Sequence, residues 1–439
     1  MVAKITFGMD ANHLKVGQSH PVVWDETQVV NPHILIVGMS GAGKTHNLRR
    51  MVKQLKESAG GGIRIHVFDV HGDIDIPGAS TLMFSEQTAY GLNPLVVNPD
   101  PDFGGVRKRI QSFIAILNRA RTLGAKQENV IRNLLTDLYK SRGFEVNVPA
   151  SWGRGVSPTV QDLLDYARQI QKQVFLGSNQ TAVAALESFE KTVRGHRKKM
   201  MERMKKGEGA ADSESAQDAV EKAGLKAIEA YSEFISSVKT GDELDNYMRY
   251  DSADVLKSVV DRLDNLNSVG IFRSQLPPFD SSNPVWRYQL KALSAEERKL
   301  FVHFRLEELF LAGIQRGEQK RLRDVFVLDE AHAFCDDDPE NIVSTIAKEA
   351  RKFGQSLIAA SQAPNHFTED FLTSVGTKFV LAIDESFWDG AARKLRLEGK
   401  ALEWIKPRQT CAVQIKAHTE NKNAWKWVVL PKLQGGASL

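Results

Sequence analysis

Cysteine is nearly missing from this 439-residue chain. Cys335 and Cys411 are the only two, and they lack metal-ligand spacing. A disulfide framework and a cysteine-built zinc site are therefore excluded, and a reducing cytoplasm is the expected location. Long apolar runs are missing too. None approaches the roughly 18 residues of a membrane span, and no basic segment followed by an apolar one opens the chain. No membrane span is expected, although docking on a membrane partner stays open. A strong charge of one sign is absent: 58 Lys and Arg face 54 Asp and Glu, for a formal charge of +4 and a pI near 8.8. Such a balance permits nucleic-acid binding without requiring it, so the placement of charge matters more than its sum. Hydrophobic content of 42% and charged content of 26% are ordinary for a globular protein.

What is present is an alternation of short apolar runs and helical patterns. Residues 33–37, His-Ile-Leu-Ile-Val, lie between Pro32 and Gly38 and predict a buried parallel strand. A helix should start within Gly43-Lys44-Thr45 and continue through Leu48, Met51, Val52 and Leu55 to the stop at Gly60-Gly61-Gly62. A strand over Ile63 to Val70 completes a βαβ opening. From about 105 to 270 the periodicity is mostly helical, with a basic run over 191–206 and a small, polar stretch over 207–219 that predicts a mobile loop. Further strands are expected at Val285 to Leu290, Val325 to Leu328, Leu357 to Ala360 and Phe379 to Ile383, with helices over Ala295 to Ile314 and about 340–353. Cys411 to Ile415 and Trp425 to Leu430 suggest a terminal hairpin. The fold class expected is α/β, a RecA-like P-loop core with a mostly parallel sheet, interrupted by a large helical insertion. Its parts are residues 1–100, the insertion 101–280 with its basic-acidic segment at 191–219, and residues 281–439.

Gly38-Met39-Ser40-Gly41-Ala42-Gly43-Lys44-Thr45 has the Gly-x4-Gly-Lys-Thr pattern of a phosphate-binding loop. Its glycines let the backbone turn and aim N–H groups at phosphates, while the following helix presents its positive end. The expected nucleotide contacts are Gly38, Ser40, Gly41, Ala42, Gly43, Lys44, Thr45 and His46. Lys44 would reach the β- and γ-phosphates of ATP, and the Thr45 hydroxyl would ligate Mg²⁺. Asp329 and Glu330 end the apolar strand Val325 to Leu328, at the sheet edge where such folds bind ligands. Asp329 would hold Mg²⁺ through its water shell, and Glu330 would orient and deprotonate the attacking water. Gln362 could sense the γ-phosphate from the neighbouring strand end. Arg351 is a candidate arginine finger, although Lys348 and Lys352 beside it also fit a plain basic helix face. Asp329-Glu330-Ala331-His332 matches the DEAH-box helicases only superficially, because 285 positions separate Lys44 from Asp329.

With these motifs in order, the sequence resembles the HerA/FtsK superfamily of ring-forming ATPases, particularly its HerA-like branch. The stretches that carry the resemblance are Val37 to Thr45, Phe68-Asp69-Val70-His71-Gly72-Asp73, Val327 to His332, Glu349-Ala350-Arg351-Lys352-Phe353-Gly354 and Ala359 to Pro364. It covers roughly 30–95 and 285–430. It implies a hexameric ring that moves double-stranded DNA through its pore by ATP hydrolysis, with Arg351 completing a neighbour's site and Gln362 as the sensor. It also implies that Asp69, on the strand next to the P-loop, helps organise the site. Only 37 residues precede Gly38, so an ATPase core without HerA's N-terminal β-barrel domain is expected, working with a partner nuclease or other effector.

The basic run, with Arg194, Arg197, Lys198, Lys199, Arg203, Lys205 and Lys206 interleaved with Met200, Met201 and Met204, is the densest candidate for phosphate contacts. A solvated basic face neutralised by the adjoining acidic stretch explains it better. Two other functions fit the same core: a conjugation or secretion ATPase serving a membrane complex, and a nucleotide-gated scaffold for an effector.

Overall fold

The computed structural model describes residues 2–431 apart from 177–179, 207–212, 238–248, 251, 339, 398 and 420–423. Its strands are β1 (Lys4–Asp10), β2 (Pro21–Asp25), β3 (Ile34–Val37), β4 (Arg64–Asp69), β5 (Ser80–Met83), β6 (Val285–Gln289), β7 (Asp324–Leu328), β8 (Gln355–Ser361), β9 (Thr377–Val380), β10 (Thr410–Ile415) and β11 (Trp425–Val429). Its helices are α1 (Ala11–Lys15), α2 (Lys44–Ala59), α3 (Val106–Ala120), α4 (Ala125–Ser141), α5 (Val160–Leu176), α6 (Gln180–Lys206), α7 (Ser213–Ser237), α8 (Ala253–Ser268), α9 (Ala295–Arg316), α10 (Ile342–Glu349), α11 (Glu369–Ser374), α12 (Trp388–Leu395) and α13 (Gly399–Trp404). The chain forms two compact units, Met1–Pro94 with Val269–Leu439, and Leu95–Ser268.

All eleven strands belong to the first unit and make one sheet, in the order β2-β1-β11-β10-β9-β3-β8-β7-β4-β6-β5. From β9 to β5 the seven strands run parallel. Burial on both faces explains their sequences: every residue of β3, β7 and β8 is buried, so the apolar stretches 34–37, 325–328 and 357–360 do not alternate with polar residues. The mostly parallel α/β core is as expected. Its other end is antiparallel, because β10 and β11 form a hairpin that β1 and β2 extend. Strands β1, β2 and β5 have no counterpart in the sequence reading. Strand β1 pairs with β2 and with β11, at the far end of the chain. Gly8 shows how tight that pairing is, since a Cβ there would lie 2.3 Å from the Val429 carbonyl oxygen.

One expected adjacency is corrected. The P-loop strand β3 lies between β8 and β9, and β4, which carries Asp69, is separated from it by β8 and β7. Residues 350–353 also differ, closing as a 3-10 turn after α10 rather than as continued α-helix.

The second unit is helical among the described residues. Its core comes from periodic apolar positions, with Ile110, Phe113 and Leu117 buried on α3, Val130, Leu134 and Leu138 on α4, and Leu256, Val259 and Leu263 on α8. The buried Tyr139 hydroxyl donates to the Leu95 carbonyl at 2.7 Å. The stretch expected as a loop over 207–219 is partly helix, since α7 begins at Ser213, and 207–212 lie outside the described residues. In the basic run on α6, Arg194, Arg197, Lys198, Lys199 and Lys205 are exposed, as are Met200 and Met201. The side chains of Arg203, Met204 and Lys206 lie outside the described residues. No described helix is long and apolar enough to cross a membrane.

Candidate nucleotide site

The loop after β3 gets its shape from two glycines for different reasons. Gly43 has φ +104° and caps α2, a left-handed conformation that side chains resist. Gly38 has ordinary φ but no room, because a Cβ there would approach the Leu381 Cβ to 2.7 Å. Residues after β9 flank the loop: Leu381 N donates to Val37 O at 2.7 Å, and Met39 N donates to Ala382 O at 2.8 Å. The strand β9 ends at Val380, short of the expected Ile383.

A cavity of about 650 Å³ opens over this loop, within the size range of ligand pockets. Ser40, Gly41, Gly43, Lys44, Thr45 and His46 line it, together with Asp329, Glu330 and Gln362. Residues far apart in sequence thus meet where the ends of β3, β7 and β8 come together. Gly38 and Ala42 do not line it, and the Ala42 side chain is fully buried. Lys44 Nζ donates to Gly38 O at 2.9 Å and to Met39 O at 3.4 Å, so the loop's own carbonyls hold the ammonium. Arg351 is not part of this lining. It is exposed, and its Nη1 donates to the Val30 carbonyl at 2.6 Å.

Electrostatics at the far wall favour a cation. Burial pushes the Asp329 carboxyl up to about 6, with the charges of Glu330 and Asp73 adding to the shift. One carboxylate oxygen from each of Asp69, Asp73 and Asp329 lies within 4.8 Å of the others. The Thr45 hydroxyl is 3.4 Å from Asp73 Oδ2. Hard oxygen donors of this kind suit Mg²⁺.

Asp69 works from below. It is fully buried, accepting from Gly72 N at 2.7 Å and Ile74 N at 3.1 Å, and from Arg287 Nε and Nη2 at 2.9 and 2.7 Å. Arg287 Nη2 also donates to Gly72 O at 3.0 Å. This buried pair shapes the loop that brings His71 and Asp73 to the cavity. Arg287 was missed in the sequence, although a charge inside the apolar strand Val-Trp-Arg-Tyr-Gln was a usable signal. Arg408 was missed too and had no local signal. Its φ is +61°, its N–H donates to Ala42 O at 3.3 Å, and its Nε donates to Gly41 O at 3.0 Å, fastening the P-loop from the segment before β10.

A parallel α/β sheet with a P-loop at one strand end and an acidic pair at another defines the class as a RecA-like P-loop NTPase fold. The family model described as "Helicase HerA, central domain" matches residues 13–284, and the chain belongs to that family. Over 61 residues it is 41% identical to the DNA double-strand break repair helicase HerA of Pyrococcus furiosus, a stretch covering 13% of this chain and 11% of that protein. The structure is similar to VirB4 of Thermoanaerobacter pseudethanolicus, with TM-score 0.62, 16% identity and coverage of 98% and 96% of the two chains. It is also similar to the bacterial conjugative coupling protein TrwB, with TM-score 0.53, 12% identity and coverage of 98% and 93%. A TrwB structure in complex with ADP and Mg²⁺ aligns with TM-score 0.52 at 11% identity, over 99% of this chain and 96% of that one. At these identities the structural likeness establishes the fold.

Proposed function

We propose that this protein is an ATP-hydrolysing motor of the HerA/FtsK type that assembles as a hexameric ring and moves double-stranded DNA. The observation that carries the proposal is the single cavity shared by Lys44, Thr45, Asp329, Glu330 and Gln362, in a chain of the HerA family. Gly41 to Thr45 would cradle the phosphates of ATP, with Lys44 exchanging its two carbonyl bonds for the β- and γ-phosphates. Thr45 and Asp329, with Asp73 beside them, fit the Mg²⁺ that accompanies ATP; when bound, the ion supplies charge neutralisation on the phosphates. Glu330 would accept a proton from the attacking water, and Gln362 would sense the γ-phosphate from β8.

Arg351 lies off its own cavity and is exposed, which supports a role at a neighbour's site. Arg351→Ala should lose hydrolysis yet recover part of it when mixed with Glu330→Gln subunits whose arginine is intact. Absence of recovery at every mixing ratio would argue against a shared site.

Arg408→Ala is expected to weaken ATP affinity about tenfold, the scale of one hydrogen bond involving a charged group. Titration with a fluorescent ATP analogue reads the change, and unaltered affinity would leave the Arg408 contacts without functional weight.

The whole proposal is tested by native mass with and without ATP, followed by turnover with and without duplex DNA. An ATP-dependent hexamer and DNA-stimulated hydrolysis are expected. Turnover indifferent to DNA, or dependent on a membrane complex, would turn the assignment toward a conjugation-type ATPase. Slow turnover with ATP-dependent assembly would favour a scaffold for a partner nuclease or effector.

A further inference from the structure

Glu330 has φ +48°, one of three described residues other than glycine in the left-handed region. For such a residue this conformation is strained, and it persists where surrounding contacts hold it. The backbone continues from it into a 3-10 turn, Ala331–Ala333, with Ala333 N donating to Glu330 O at 2.9 Å. The side chain needs its own restraint, and the contacts around it form a line. Glu330 Oε2 is 3.3 Å from His332 Nδ1 and 3.5 Å from Gln362 Nε2. The amide is at the outer limit of hydrogen bonding, so the histidine is the closer partner. His332 Nδ1 is also 3.3 Å from Ser361 Oγ, and that hydroxyl is 2.9 Å from His366 Nδ1. Ser361 is fully buried at the end of β8, and the two imidazole rings lie 4.7 Å apart.

One arrangement of protons satisfies every contact along this line. Burial lowers the His366 pKa, with His332 and Lys394 adding to the effect while Glu330 opposes it. In the tautomer of neutral His366 that carries its proton on Nε2, Nδ1 accepts from the Ser361 hydroxyl. The tautomer of His332 with a proton on Nδ1 then places that proton between Ser361 Oγ and Glu330 Oε2. The line ends in the turn Pro364–His366, where Lys394 Nζ on α12 donates to the carbonyls of Asn365 at 3.3 Å and Phe367 at 2.7 Å.

The geometry points to His332 as a positioning residue: it holds the Glu330 carboxylate toward the nucleotide cavity and is itself held through Ser361 by His366. This inference rests on Glu330 serving as the base. It deepens that assignment by naming what aims the carboxylate. His332 does not line the cavity, so its removal should slow the chemical step without weakening nucleotide binding.

The test uses the full chain in steady-state turnover and titration with a non-hydrolysable ATP analogue. His332→Ala is expected to lower kcat by about tenfold to a hundredfold, below the roughly 10²–10⁴ that a complete general base supplies, while analogue affinity changes less than about twofold. His332→Asn, whose amide can donate from near the Nδ1 position, should restore most of the loss. Ser361→Ala should act in the same direction, and the double variant with His332→Ala should be no slower than His332→Ala alone. A wild-type kcat in His332→Ala, equal impairment in the Ala and Asn variants, or strictly additive losses would each overturn the inference. Glu330→Gln separates the two levels. If it abolishes turnover while His332→Ala turns over at the wild-type rate, the positioning role fails alone; if turnover survives Glu330→Gln, the base assignment fails and the inference with it.

Discussion

Lys44→Ala is expected to abolish tight ATP binding, weakening affinity more than about a hundredfold, the loss of roughly two charge-assisted contacts to phosphate. The effect should be large because nothing else on the loop carries that charge inward. Lys44 is buried, and its Nζ is placed by the carbonyls of Gly38 and Met39. Truncation would leave those carbonyls without their donor and the phosphates without their nearest cation. Calorimetric titration with ATP reads the outcome, and thermal unfolding checks that the variant remains folded. Affinity within a few-fold of wild type would remove Lys44 from its assigned place and with it the phosphate-binding role of the loop.

Glu330→Gln should have the opposite signature. Binding is kept, turnover falls by about 10²–10⁴, and ATP stays trapped on the protein. The amide matches the carboxylate in shape and leaves the backbone at φ +48° undisturbed, but it cannot take a proton. Retention of ATP through gel filtration, together with the turnover rate, measures both halves of the expectation. Near-normal turnover would remove Glu330 as the base.

These two residues illustrate what could be read along the chain. The place of Lys44 in the cavity was legible because it is local: strand, glycine turn, lysine and helix are contiguous, so spacing alone announces it. Asp329 and Glu330 were legible because an unbroken apolar run ends on an acidic pair. Gln362 follows the same logic at the end of β8. The contributions of Asp73, Arg287 and Arg408 were not legible in this way. Asp73 lies in a loop whose Gly72 is bonded by both Asp69 and Arg287, and Arg408 sits 367 positions beyond the carbonyl it bonds. Neither relation has a period or a spacing that could announce it.

The sheet divides similarly. Its parallel strands announce themselves because burial on both faces demands continuous apolar sequence. Strand β1 mixes exposed and buried positions, and its place next to β11 is fixed by long-range pairing. The order of strands was equally hidden. Sequence set β4 close behind the P-loop helix, yet two strands from much later in the chain, β8 and β7, separate it from β3.

From sequence alone came the chemical parts: a phosphate-binding loop, an acidic strand end, a polar strand end beside it, and an α/β frame broken by helices. Each of these depends on neighbours along the backbone, where covalent geometry fixes the spacing. Tertiary structure decided which parts share a cavity, that Asp69 lies on the strand next to β7 instead of next to the P-loop strand, that Arg351 lies outside the lining of its own cavity, and that His332 and Ser361 stand behind Glu330. Those outcomes depend on strand order and on contacts closed across tens to hundreds of residues, which packing selects and local sequence does not encode.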